Sequence, residues 1–105
     1  MSKYGNVQTV VDAMTFASKA EARRYGELKL LEQAGVIKDL VCQPKYSIVV
    51  NGKKICDYIG DFSYLDGHAL VLEDVKAHIT KTPAYRLKKK LVFAIYNIEI
   101  TEVKA

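Results

Sequence analysis

Cysteine occurs only twice, as Cys42 and Cys56. Two residues so spaced make neither a disulfide framework nor the Cys/His pattern of a zinc site. They read as buried free thiols of a reducing compartment. No apolar run approaches the ~20 residues that span a bilayer, and the N-terminus has no signal-peptide core. A cytoplasmic protein with no membrane partner is the expectation. A Gly-rich phosphate loop and a G-x-S-x-G elbow are both missing, which leaves P-loop and α/β-hydrolase chemistry without support. Internal repeats, low-complexity tracts and linkers are also lacking. The 105 residues read as one domain, 1–105, with room for a single modest core.

What is present is a globular composition, half apolar and 27% charged. Sixteen Lys and Arg against twelve Asp and Glu leave a net charge of +4, which favours an anionic partner. Residues 1–7 are polar and read as loose, and "QTVVDAMTF" suggests a short hairpin turning near Asp12-Ala13. Ser18 followed by Glu21 is a capping-box signature; it opens a helix over Lys19–Ala34 that Gly35 stops. Tyr25, Leu28 and Leu31 give this helix one apolar stripe. Lys45–Val50 reads as a strand, Asn51-Gly52 as a hairpin turn and Lys54–Tyr64 as the return strand. Leu65-Asp66-Gly67-His68 then turns into the strand Ala69–Lys76. Thr82 and Pro83 start a second helix that runs to Tyr96, and "NIEITEV" ends the chain as a strand. The expected order is short hairpin, helix, three-stranded meander, helix, strand. That is an α/β domain, with a mixed central β-sheet flanked by two helices.

The chemistry concentrates in the meander. Asp61 stands near the end of the return strand, and Asp74 and Lys76 lie on the next. Strand side chains alternate, so Asp74 and Lys76 share a face while Glu73 and Val75 take the other. Asp74 is therefore a better partner of Lys76 than Glu73 is. Phe62, Val71, Leu72 and Val75 make both strands apolar enough to be central, where charges rarely stand without purpose. Two carboxylates and an ammonium at one spot lose solvation, and the acids repel. A divalent cation resolves the conflict. Magnesium takes oxygen ligands from one or two carboxylates and a phosphate, and activates water for phosphodiester hydrolysis. Each residue alone has a plainer reading, Asp61 as a strand-end acid and Asp74-x-Lys76 as a surface ion pair. Their coincidence favours a site.

The run "GDFSYLDGHALVLEDVK" resembles the metal-binding core of the PD-(D/E)XK nuclease superfamily, with Asp61 at the first acid, Asp74 at the second and Lys76 at the lysine. These nucleases carry a further Glu on an upstream helix. Glu21 in "SKAEARRYGELKLLEQAG" fits that place, and it equally fits a helix cap. "VDAMTFASKAEARRYGELKLL", "QPKYSIVV" and "LEDVK" together are similar to a family of small phage proteins assigned to the superfamily, a likeness that spans nearly the whole chain. Gly60 departs from the motif, which has Pro before the first acid. The resemblance implies a restriction-endonuclease-like core and a Mg2+-dependent DNA endonuclease in which Mn2+ substitutes. It implies Asp61, Asp74, the carbonyl of Val75 and Glu21 as metal ligands, and Lys76 as the group that orients or deprotonates the attacking water. It further implies branched or structured duplex DNA as substrate, resolved at a four-way junction by a homodimer, in the host cytoplasm for a phage-encoded enzyme.

Arg86, Lys88, Lys89 and Lys90 form a basic cluster on the second helix. A nucleic-acid backbone at the acids would reach them, and phosphate contacts give affinity that is independent of sequence and falls with salt. The plainer reading is the solvated side of a helix. Arg23, Arg24 and Lys45 extend the patch, and Tyr46 and Tyr85 either stack against a ligand or fill the core rim. His78 shares the face of Asp74 and Lys76 if that strand continues; His68 sits in a turn without a role. Two rivals come from other classes. One is a nuclease-like fold that holds nucleic acid without cutting, the other a phage protein acting through protein contacts. The intact set Asp61, Asp74 and Lys76 favours the enzyme.

Overall fold

Both helices begin where a hydroxyl can cap them. In the computed structural model, which describes residues 8–12, 14–76 and 81–105, Ser18 Oγ accepts the Glu21 N–H at 3.2 Å and opens α1 (Lys19–Gln33). Thr82 Oγ1 accepts the Tyr85 N–H at 3.1 Å and opens α2 (Pro83–Tyr96), with Pro83 in the first turn where no N–H is needed. α1 ends at Ala34, followed by Gly35 at φ +78°, and α2 ends on Asn97 at φ +57°. Glycine and asparagine are the residues that enter this left-handed region most readily. The helix bounds match the expectation. Residues 1–7, expected to be loose, and His78, expected on the face of Asp74, lie outside the described residues.

The strands are β1 (Thr9–Val11), β2 (Met14–Phe16), β3 (Lys38–Cys42), β4 (Lys45–Val50), β5 (Lys53–Ile59), β6 (Phe62–Asp66), β7 (Ala69–Lys76) and β8 (Thr101–Lys104). Among the described residues, a four-stranded sheet runs β3-β6-β7-β8, and β1-β2 and β4-β5 are separate hairpins. β3, β6 and β7 pair antiparallel, whereas β8 lies parallel to β7, so the sheet is mixed. Alternation along β6 and β7 feeds two cores. Phe62, Tyr64, Val71 and Val75 pack with Phe16, Ala22, Tyr25 and Leu28 under α1. Leu72 packs with Ile48, Tyr58, Tyr85, Val92 and Ile100 under α2 and the β4-β5 hairpin. The α/β class and the mixed sheet between two helices thus stand as expected.

Three expectations need correction. The last strand, expected from Asn97, begins only at Thr101 as β8, because Asn97 turns left-handed to end α2. The segment Lys38–Cys42, where no strand is expected, forms β3 at one edge of the main sheet. The return strand Lys54–Tyr64 is two strands, because the chain leaves the β4-β5 hairpin at Gly60-Asp61 and joins the main sheet as β6. Gly60 is buried at that crossing, with its N–H on the Pro44 carbonyl at 2.9 Å. A Cβ there would meet Leu72 Cδ1 at 2.8 Å, closer than side-chain atoms normally approach. A proline would also lose the N–H bond, which accounts for glycine before Asp61. A smaller departure is Leu31, which is exposed; Ala22, Tyr25 and Leu28 form the buried stripe of α1.

One buried charge is met inside the first core. Glu73 is 1% exposed and takes Arg24 Nε at 2.9 Å and Nη2 at 2.7 Å, together with the Tyr64 hydroxyl. The two-pronged guanidinium contact offsets much of the desolvation that a lone carboxylate would suffer. Hydrogen bonding to Glu73 also raises the Arg24 pKa above its already high ordinary value. Arg24→Met should therefore lower the unfolding free energy by about 3–5 kcal/mol, since it strands the buried Glu73, whereas Glu73→Gln should cost less because Arg24 is partly exposed and keeps Glu27 at 3.2 Å. In urea denaturation the double variant should lose clearly less than the sum of the two; additive losses would contradict the pairing.

Candidate functional site

Asp61 sits where the chain changes sheets, and its backbone is held on both sides. Its carbonyl accepts the Gln43 N–H at 2.9 Å, and its own N–H donates to the Glu73 carbonyl at 3.0 Å. Its carboxylate Oδ2 then accepts the Val75 N–H at 2.6 Å. The side chain is thus fixed across the head of β6 onto the end of β7. Within an extended strand the N–H and C=O of one residue point to the same side. The Val75 carbonyl accordingly opens toward Asp61 as well.

Asp74 is 5% exposed and lies on the opposite face of β7 from Glu73. Its Oδ2 accepts the Tyr58 hydroxyl at 2.5 Å, and its Oδ1 faces Lys76 Nζ at 3.4 Å. Lys76 Nζ also rests 4.1 Å from the Tyr85 ring centroid, a favourable place for an ammonium. Burial, then the bond to Asp74, pushes the Tyr58 hydroxyl well above the ordinary tyrosine range, so it stays a donor. The Asp74–Lys76 ion pair of the plainer reading is present, but it is enclosed and braced by two tyrosines.

Glu21 reaches the same place from α1. Its N–H and carboxylate both meet Ser18 Oγ at 3.2 Å, so the cap is real. Its carboxylate also faces Asp61, close enough to share a hydrogen bond when one of the two carries a proton. Cap and site acid therefore coexist, because the first turn of α1 overlies the start of β6. Burial, with the negative charges of Asp74 and Glu21 beside it, pushes the Asp61 carboxyl up to about 8; the Val75 N–H pulls the other way. Among the described residues no three acids, histidines or cysteines group closely enough to hold a metal ion by themselves. Asp61 instead stands between Asp74 on one side and Glu21 on the other.

The basic cluster divides. Lys88 lines a cleft of about 290 Å3 with Tyr58, Asp74, Lys76 and Tyr85. Arg86, Lys89 and Lys90 line a different hollow on the far side of α2. Lys89 is tied to Glu102 at 3.2 Å, beside Tyr85 and Lys81 on the same carboxylate at 2.8 and 2.9 Å. These donors hold the Glu102 carboxyl down at about 2. Arg24 does not extend the patch, being spent on Glu73, and Lys45 faces Asp57 at 3.5 Å. Arg23 is exposed on α1, and Tyr46 packs edge-on to Tyr96 rather than standing free. Sequence reasoning missed Tyr58 and Glu102. Tyr58 approaches Asp74 only because the β4-β5 hairpin folds over the sheet, and Glu102 only because β8 pairs with β7 in the register Asp74↔Glu102.

Residues 1–104 match the family described as protein of unknown function (DUF1064). The chain belongs to the DUF1064 family. No curated protein matches it. Among the described residues of this DUF1064 member, no helix is long and apolar enough to cross a membrane.

The crowding of acids at Asp61 has a measurable sign. The folded chain holds a proton on Asp61 up to about pH 8, whereas an unfolded Asp releases it near pH ~4. Stability from this group is complete below the unfolded value and is lost as pH rises through that window. Asp61→Asn keeps an acceptor for Val75 and removes the charge. In thermal melts of the metal-free protein the variant should gain on wild type as pH rises from about 4 to about 8, with the difference vanishing at the acid end. A wild type that gains on the variant with rising pH would contradict the burial of Asp61 beside these acids.

Proposed function

We propose that the protein is a metal-dependent DNA endonuclease of the PD-(D/E)XK type, with Mg2+ as its cation and Mn2+ able to substitute. The observation that carries this reading is the meeting of Asp61, Asp74 and Lys76 at the ends of two central strands, with Glu21 brought to Asp61 from α1. The mixed sheet between two helices is compatible with a restriction-endonuclease-like core.

The donor set suits a hard cation. Magnesium is ordinarily held by one or two carboxylates and substrate phosphate oxygens, without an all-protein cage. The residues that would hold it are Asp61, Asp74, Glu21 and the Val75 carbonyl; burial first, and the acids Asp74 and Glu21 after it, raise the Asp61 pKa there. When bound, such a cation makes water a better nucleophile at neutral pH and offsets charge on the phosphate. The chain's own groups do the rest. Tyr58 fixes the Asp74 carboxylate through Oδ2. Lys76 Nζ, which lies between Asp74 and the Tyr85 ring, would donate to the attacking water or to a non-bridging phosphate oxygen, where charge builds during displacement. Lys88, in the same cleft, is placed for a flanking phosphate, and Arg86, Lys89 and Lys90 for more distant ones.

The resemblance, rather than any distance in the fold, supplies the remaining parts of the proposal. These are branched or structured duplex DNA as substrate, a homodimer as the working unit, and the host cytoplasm as the setting. A second reading is a nuclease-like module that binds nucleic acid without cutting. It is favoured by one observation, that Asp61 Oδ2 and both oxygens of Asp74 already have partners within the chain.

Cleavage of a labelled four-way junction and of linear duplex with millimolar Mg2+ separates the two. The endonuclease reading expects cutting by wild type and a loss of about 100-fold or more in Lys76→Ala. Undiminished cutting by that variant would remove the mechanism. Binding without cutting by wild type would leave the module.

A further inference from the structure

Three hollows in the surface run into one another. The first is the cleft over Asp74 and Lys76. The second, of about 250 Å3, is walled by Lys76, Lys81, Glu102 and Lys104 along the edge strand β8. The third, of about 540 Å3, lies between α2 and β8; Lys81, Arg86, Lys89, Lys90 and Phe93 line it together with the acids Glu99 and Glu102. Lys76 is common to the first and second, and Lys81 and Glu102 are common to the second and third. Adjoining through these shared walls, the hollows form a grooved row from the candidate site, along the sheet edge, to Phe93.

Its chemistry changes along the way. Near Lys76 the walls are charged and tethered, with Lys81 and Lys89 both held on Glu102 at 2.9 and 3.2 Å. At the far end Arg86 and Lys90 are exposed and have no ion-pair partner among the described residues. Phe93 stands among these cations with 53% of its surface exposed. Cations spaced along a groove serve a phosphate backbone, and an exposed ring beside them serves the face of a base. Duplex DNA keeps its base faces stacked on one another and offers none to Phe93. Unpaired nucleotides do.

We infer that this groove binds a single-stranded arm of the nucleic acid, with the backbone on the unpaired Arg86 and Lys90 and a base stacked on Phe93. The inference rests on the endonuclease reading for its direction, since the arm leads to the bond to be cut, and it narrows the substrate to DNA with an unpaired segment beside that bond. A nucleotide alone would fill the far hollow but would leave the continuation toward Lys76 without a purpose.

Fluorescence anisotropy in EDTA reads this without cleavage, using a labelled oligothymidylate and a blunt duplex of equal length. Wild type should prefer the single strand. Phe93→Ala should lower the ratio of single-strand to duplex affinity about tenfold, the scale of one lost base stack. Arg86→Glu with Lys90→Glu, both at exposed positions, should make the salt dependence on the single strand shallower. A duplex preference in wild type, or a ratio and salt slope unchanged in these variants, overturns the inference. The same proteins assayed for cutting with Mg2+ keep the two readings apart. A lowered ratio without any cutting by wild type would sustain the groove and sink the endonuclease; cutting with an unchanged ratio would do the reverse.

Discussion

Two hydrogen bonds at the head of β6 hold the rest of the architecture in place. The Asp61 N–H on the Glu73 carbonyl and the Asp61 carboxylate on the Val75 N–H lock β6 to β7 at the point where the chain crosses from one sheet to another. Side chains alternate along a strand, so this register decides which acid faces which helix. A slip of one residue would turn Asp74 toward α1 and Glu73 toward α2. The crossing itself depends on Gly60, whose lack of a side chain lets the turn press against Leu72. One short segment therefore sets the sheet order and the position of the first acid together.

Adjacent acids on β7 meet opposite fates because of that register. Glu73 is buried under α1 and matched by a guanidinium and a tyrosine, a closed arrangement that leaves it nothing further to bind. Asp74 has a lysine and a tyrosine on its own side but a second carboxylate, Asp61, across the strand end, with Glu21 beyond it. The first arrangement is satisfied as folded. The second carries more negative charge than its one ammonium offsets, which is why burial and neighbouring acids drive the Asp61 pKa upward. An excess of this kind is weak for stability and useful for holding a cation or a phosphate through one.

Much of this was legible in the residues. The caps at Ser18 and Thr82, the stop at Gly35 and the Asn51-Gly52 turn are local signals, and the elements they bound appear where expected. The alternation that separates Glu73 from Asp74 is equally local. What failed was the long return strand, since Lys54–Tyr64 has strand character on both sides of Gly60 and only tertiary packing shows that the halves serve different sheets. β3 was missed because Lys38–Cys42 has mixed polarity, as befits an edge strand. The partners Tyr58, Tyr85 and Glu102 were beyond reach for another reason. They come to Asp74 and Lys76 through a hairpin folded over the sheet, a helix packed on it and a parallel pairing of β8, and no spacing in the chain records those contacts. Glu21 lay between these cases: its cap was readable, and its approach to Asp61 was not.

The central claim is that Asp61 and Asp74 together hold a divalent cation. Calorimetric titration of Mn2+ or Mg2+ into the DNA-free protein tests it most directly, with Asp74→Asn as the comparison because that change keeps an acceptor for the Tyr58 hydroxyl. The account predicts saturable binding by wild type that is lost in the variant while its melting remains cooperative. Binding absent from wild type, or undiminished in Asp74→Asn, would contradict it.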